Sequence, residues 1–140
     1  MKIELQMDNY RKKFNYLLNN YIKENIGNHT LDRAIIYSLT IGGKRIRPFI
    51  SSLISKDLGL SNKESFAISL ASEMVHTYTL IHDDLPSMDN DELRRGNPST
   101  HIKFGESNAI LAGNSIFSMA INVLIKNISN KKNDSLLRII

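Results

Sequence analysis

The chain has 140 residues and no cysteine. That excludes a disulfide scaffold, a thiolate metal site and a cysteine nucleophile. No uninterrupted run of about 18 apolar residues occurs, so a membrane span is not expected. The N-terminus, Met1-Lys2-Ile3-Glu4, lacks the apolar core of a secretory leader, and the expected location is the cytoplasm. Strict apolar–polar alternation is missing, so no strand pattern competes with helix. Internal repeats, low-complexity linkers and any signal of a second domain are missing too. The length suits one sizeable core.

The charge balance is mild but uneven. Lysine and arginine number 18 and the acids 14, a formal net charge of +4. Residues 1–70 carry a net of +5 and residues 71–140 a net of −1. Five acids fall between Asp83 and Glu92 with no base among them. Such a patch repels phosphate backbone, and no nucleic-acid motif is recognisable, so nucleic acid is not the expected partner.

Apolar residues recur at spacings of three and four, and the expected class is all-α. Ile3, Met7, Tyr10, Phe14, Leu17, Leu18, Tyr21 and Ile22 predict a helix over 3–26, stopped by Gly27-Asn28. Thr30 or Asp32 can cap a second helix, broken by Gly42-Gly43. Pro48 suits the first turn of a third, which runs to about Leu58. Ser61 with Glu64 forms a capping-box pattern for a long helix ending near Leu85, before Pro86. Residues 86–104 read as a loop and 106–128 as an apolar helix. Asn130–Asp134 reads as a polar turn, and Ser135–Ile140 begins another apolar segment.

Two clusters carry chemistry. The first is Gly42-Gly43-Lys44-Arg45-Ile46-Arg47-Pro48. Two glycines permit close backbone approach, three cations follow, and a helix starts behind them; this suits an anion, or equally a helix break with solvated charges. The second runs from His82-Asp83-Asp84 through Asp89, Asp91 and Glu92 to Arg94-Arg95-Gly96. Carboxylates this close repel one another, and a hard divalent cation relieves the repulsion; an acidic surface loop is the plainer alternative. Asp83 and Asp84 end the long helix, and Pro86 turns the chain so that Asp89 can fold back toward Asp83. Arg94-Arg95 suit a diphosphate or simply neutralise the neighbouring acids. His76 lies two helical turns before Asp83 on the same face, as a phosphate donor or a hydrogen-bonded core histidine.

Gly-Gly-Lys-Arg-Ile-Arg-Pro, then a helix ending in D-D-x-x-x-x-D, then Arg-Arg-Gly, resembles the trans-isoprenyl diphosphate synthases. Within them the likeness is strongest to bacterial farnesyl diphosphate synthases (geranyltranstransferases), from near residue 10 onward. The resemblance implies an isoprenoid-synthase helical bundle and Mg²⁺-dependent condensation of an allylic diphosphate with isopentenyl diphosphate. Gly43, Lys44, Arg47, His76 and Arg95 would hold isopentenyl diphosphate. Asp83, Asp84 and Asp89 would be the catalytic metal-binding carboxylates, Asp84 in a supporting role, with Arg94 on the allylic diphosphate. Tyr78, five residues before Asp83, would be the floor of the product pocket and favour a fifteen-carbon product; the alternatives are an ordinary core aromatic and a geranylgeranyl product.

The family's second aspartate-rich motif, D-D-x-x-D, does not occur in these 140 residues, and family chains are about twice as long. Residues 1–140 therefore read as the N-terminal half of a single domain. Two expectations follow: a prenyltransferase represented by half of its sequence, or a non-catalytic remnant or partner subunit. The family is usually homodimeric, and a broad apolar face is expected to lie exposed on 106–128.

Overall fold

The structure is a computed structural model that describes residues 2–128. Six helices and one two-stranded ribbon are described: α1 (Lys2–Asn25), α2 (Thr30–Thr40), α3 (Ile46–Asp57), α4 (Asn62–Asp83), β1 (Leu93–Arg94), β2 (Asn97–Pro98), α5 (Thr100–Phe104) and α6 (Glu106–Asn127). The all-α expectation holds. The segments expected at Asn130–Asp134 and Ser135–Ile140 lie outside the described residues.

The core follows the sequence spacing. Phe14, Leu18 and Ile22 give α1 one buried face, and Leu70, Met74 and Ile81 line α4. The facing stripe of α6 is Ala109, Ala112, Ile116, Ala120 and Val123. Its small residues let α4 and α6 pack closely, so α6 is the main partner of the long helix. At the start of α4, Ser61 Oγ accepts from the Glu64 amide at 3.2 Å, and the Ser61 amide donates to Glu64 Oε2 at 2.9 Å. These two bonds complete the expected capping box.

Three local expectations change. The cap of α2 is His29, whose amide donates to Asp32 Oδ2 at 2.9 Å; Asp32 therefore reaches back from inside the first turn. The stretch 86–104 is not all loop. Leu93 pairs with Pro98 and Arg94 with Asn97 around a two-residue turn, Arg95-Gly96, with φ of 56° and 78°. Two left-handed residues in succession match the right-handed twist of a tight hairpin. Thirdly, α6 is long and apolar enough to cross a membrane by length and composition, with a mean hydropathy of 1.5 over 18 residues. The strict run is broken by Asn114, Ser115, Ser118 and Asn122, which a window average tolerates. Here the helix serves as a bundle element, with its alanine stripe buried against α4.

Candidate active site

The turn between α2 and α3 is built on unusual backbone. Gly42 and Gly43 have φ of +103° and +134°, and Arg45 sits in the left-handed region at 54°. Arg45 turns inward. Its guanidinium donates to Glu73 Oε1 at 2.5 Å, to Asn15 Oδ1 at 3.1 Å and to the Leu39 carbonyl at 2.8 Å. Arg45 and Glu73 are both about 3% exposed, so this pair is a pin through the core and not a free cation. With Arg45 pointing in, its neighbours Lys44 and Arg47 are left exposed.

Beside this turn lies an open cleft of about 510 Å³. It is lined by Gly43, Lys44, Arg47, His76 and Arg95, together with Arg11 from α1. All five residues expected to hold isopentenyl diphosphate thus share one cleft, although they come from the turn, α3, α4 and the hairpin. Arg95 is delivered by the hairpin turn and donates through Nη1 to the Gly42 carbonyl. A Cβ on Gly43 would meet the Arg95 guanidinium at 2.6–2.9 Å, so glycine is required both by φ and by this approach. Arg47 Nη1 lies 3.2 Å from His76 Nε2. Guanidinium only donates, so Nε2 accepts and the ring proton sits on Nδ1. Burial, and then the Arg47 charge, hold the His76 pKa below its ordinary value. Burial also lowers that of Arg95.

The acidic cluster divides in two. The Asp89 amide donates to the Asp83 carbonyl at 2.9 Å, so the chain after Pro86 curls back onto the end of α4. Asp83 is half-buried and Asp89 exposed. Asp84, only 2% exposed, turns the other way and is gripped by Arg94, through Nε to Oδ1 at 3.0 Å and to Oδ2 at 3.2 Å, and through Nη2 to Oδ1. Arg94 also reaches Asp91 Oδ2 at 2.9 Å. The hydrogen bonds that Arg94 donates to Asp84 hold the Arg94 pKa above its usual value. Among the described residues no three His, Asp or Glu side chains converge on one metal position. What the donor set does offer is two carboxylates, Asp83 and Asp89, open to solvent on one side. That fits Mg²⁺, which takes hard oxygen ligands and keeps several waters.

Tyr78 is half-buried on α4. Its ring centroid is 5.1 Å from that of Phe117 on α6 and 4.6 Å from that of His82. Arg11, Glu73, Gly113 and Phe117 had no role in the sequence reading. Glu73 did leave a signal, since a lone acid on the buried stripe of a helix needs a partner. Arg11, paired with Asp8 at 3.1 Å on the outer turn of α1, left none.

The sequence matches the Polyprenyl synthetase family over residues 28–140. It is 42% identical to a farnesyl diphosphate synthase of Geobacillus stearothermophilus over 124 residues, covering 89% of this chain and 42% of that protein. It is 44% identical to a chloroplastic geranylgeranyl pyrophosphate synthase of Capsicum annuum over 97 residues, covering 69% of this chain and 26% of that protein. In structure it resembles a geranyltransferase from Legionella pneumophila, with a TM-score of 0.84 at 39% identity, covering 91% of this chain and 46% of that one. The chain spans less than half the length of these relatives. With the match running through the basic turn, the acidic loop and the hairpin, the chain belongs to the polyprenyl synthetase family.

Proposed function

We propose that residues 1–140 are the N-terminal half of a prenyltransferase domain that makes farnesyl diphosphate from isopentenyl diphosphate and dimethylallyl or geranyl diphosphate. The observation that carries this reading is the convergence of Lys44, Arg47, His76 and Arg95 on one cleft beside Gly43. Four donor side chains on an open cleft suit a diphosphate and little else of comparable charge. His76, already accepting from Arg47, keeps Nδ1–H to donate. Asp83, the last residue of α4, and Asp89 in the loop after it would hold Mg²⁺, which when bound would neutralise charge on the departing diphosphate. Asp84 supports them by fixing Arg94 beside the allylic diphosphate. The reaction breaks the allylic C–O bond, and the electron pair leaves on the diphosphate oxygen. The double bond of isopentenyl diphosphate attacks the allylic cation, and loss of a proton restores the alkene. Apolar walls shield that cation from water.

Tyr78, in tilted ring contact with His82 and Phe117, is the proposed floor that stops the product at fifteen carbons. A geranylgeranyl product is the second reading, favoured by the likeness to the Capsicum annuum protein. In either reading the enzyme works in the cytoplasm as a homodimer. A second wall, carrying D-D-x-x-D, comes from residues outside these 140.

The test is to incubate the chain with geranyl diphosphate, isopentenyl diphosphate and Mg²⁺, alone and mixed with the C-terminal half of a relative. No product is expected alone, and farnesyl diphosphate is expected from the mixture. Product from the 140 residues alone would show that no second wall is needed. No product from a stably associated mixture would favour a non-catalytic remnant or partner subunit.

A further inference from the structure

A second cavity, of about 380 Å³, opens between α1, the C-terminal half of α3 and the first two turns of α4. It shares no lining residue with the basic cleft. The volume falls within the range typical of small-molecule sites, about 300–1,000 Å³. Its inner wall is aromatic. Phe14 is tilted against Phe66 with centroids 6.1 Å apart, and Tyr10 stacks on Phe14 at 6.0 Å. The hydroxyls at the inner end are already engaged, since Tyr10 Oη and Ser69 Oγ donate to the Pro48 carbonyl at 2.9 and 3.1 Å. Phe14 itself is buried behind Tyr10 and Phe66, so the apolar surface the cavity offers comes from the half-buried Tyr10, Leu17 and Phe66.

The rim is the opposite in character. Lys13, Lys56 and Lys63 stand on three different helices, and all are exposed. No carboxylate lines the cavity, and none of the three makes an ion pair among the described residues. Three ammonium groups around one opening raise a positive potential over an apolar pocket. Lys63 is moreover the second residue of α4, where a cation opposes the helix dipole. A bound anion there would relieve both effects.

We propose that this cavity is a second ligand site, which takes an amphipathic anion. The apolar body lies against Tyr10, Leu17 and Phe66, and the anionic head sits among Lys13, Lys56 and Lys63. The site is independent of the chemistry at the basic cleft. Its ligand class, a phosphate or carboxylate on a hydrocarbon chain, covers prenyl phosphates and fatty acids alike.

Because the chain contains no tryptophan, Leu17→Trp places a single fluorescent reporter on the cavity lining. Decyl phosphate, titrated below its micelle concentration, is expected to give a saturable spectral shift. Inorganic phosphate, which lacks the apolar body, is expected to give none. The shift should persist in the Lys44→Ala/Arg47→Ala background, which disables the basic cleft. It should weaken on the order of tenfold in Lys56→Glu/Lys63→Glu, about the effect of losing 1.4 kcal/mol of attraction. Calorimetry on the chain without the tryptophan checks the affinity, and circular dichroism confirms that the exposed lysine variants fold. Equal binding of decanoate assigns the head to charge alone, and weaker binding assigns it to phosphate. The proposal is overturned if neither amphiphile binds saturably, if Lys56→Glu/Lys63→Glu binds as tightly as the parent, or if the cleft substitutions abolish the signal.

Discussion

Gly43 decides where a charge sits. Its φ of +134° is one that residues with a Cβ rarely adopt, and the space a Cβ would take is filled by the Arg95 guanidinium. Gly43→Ala should therefore do two separable things. Backbone strain should cost about 1–3 kcal/mol of stability, read by chemical denaturation. Displacement of Arg95 from the Gly42 carbonyl should weaken binding of inorganic diphosphate about tenfold, read by calorimetry. Arg95→Ala should weaken binding by a similar factor, and the double variant should lose little more than either single one, because both remove the same cation. Additive losses would show that Gly43 and Arg95 contribute independently. At this scale much of the cleft was legible, since Lys44, Arg47, His76 and Arg95 are polar residues that stand with Gly43 in a recognisable pattern. The fate of Arg45 was not legible. In sequence it is one of three cations in a run; only the fold, with Glu73 waiting on the inner face of α4, turns it into a buried partner. Removing either member alone would leave an uncompensated buried charge.

Long periodic segments were readable to within two or three residues, because a helix with one buried face leaves a repeating mark. The hairpin left none. Each strand has two residues, too few for alternation, and its Arg95-Gly96 turn lacks the usual Asn-Gly or Asp-Gly signal. Yet that hairpin carries Arg94 to Asp84 and Arg95 to the cleft, so the least legible element positions two of the candidate residues. The contact between α4 and α6 was equally hidden. It depends on Gly113, where a Cβ would collide with the His82 imidazole. His82 in turn lies against Tyr78, with Nδ1 3.0 Å from the Tyr78 carbonyl. Two effects compete in Gly113→Ala. Alanine favours the helix by about 1 kcal/mol, whereas crowding a packed interface costs about 1–3 kcal/mol. Crowding should win, making Gly113→Ala destabilising. In a His82→Ala background the collision is gone, and the same substitution should stabilise by about 0.5–1 kcal/mol. Urea midpoints of the four proteins check this reversal of sign; a destabilising effect in both backgrounds would place the crowding elsewhere.

At the scale of the described molecule, most exposed large apolar side chains lie on helix faces, while Met88 and Leu93 are exposed beside the carboxylates of the acidic loop. On α6, Ile110, Leu111, Phe117 and Ile125 are each at least 40% exposed, interspersed with Asn114, Ser118 and Asn122. On α3, Ile46, Ile50, Leu53 and Ile54 form a second exposed stripe. The broad apolar face expected on 106–128 is thus present, and α3 adds one that the sequence reading did not anticipate. Exposed apolar side chains grouped on a helix face mark surfaces that association covers, each Å² buried contributing about 25 cal/mol. The 140-residue chain in isolation should therefore self-associate as its concentration rises, as sedimentation velocity would measure. Leu111→Glu/Ile125→Glu puts two like charges on the α6 face at exposed positions, where substitutions shift stability by only about 0.5 kcal/mol. It should raise the concentration needed for association on the order of tenfold, equivalent to about 1.4 kcal/mol. Ile50→Glu/Ile54→Glu makes the same change on α3 and serves as the comparison. If only the α6 pair acts, α6 is the associating face. If only the α3 pair acts, the face read from the sequence is the wrong one, and association without effect of either pair would mean that neither stripe drives it.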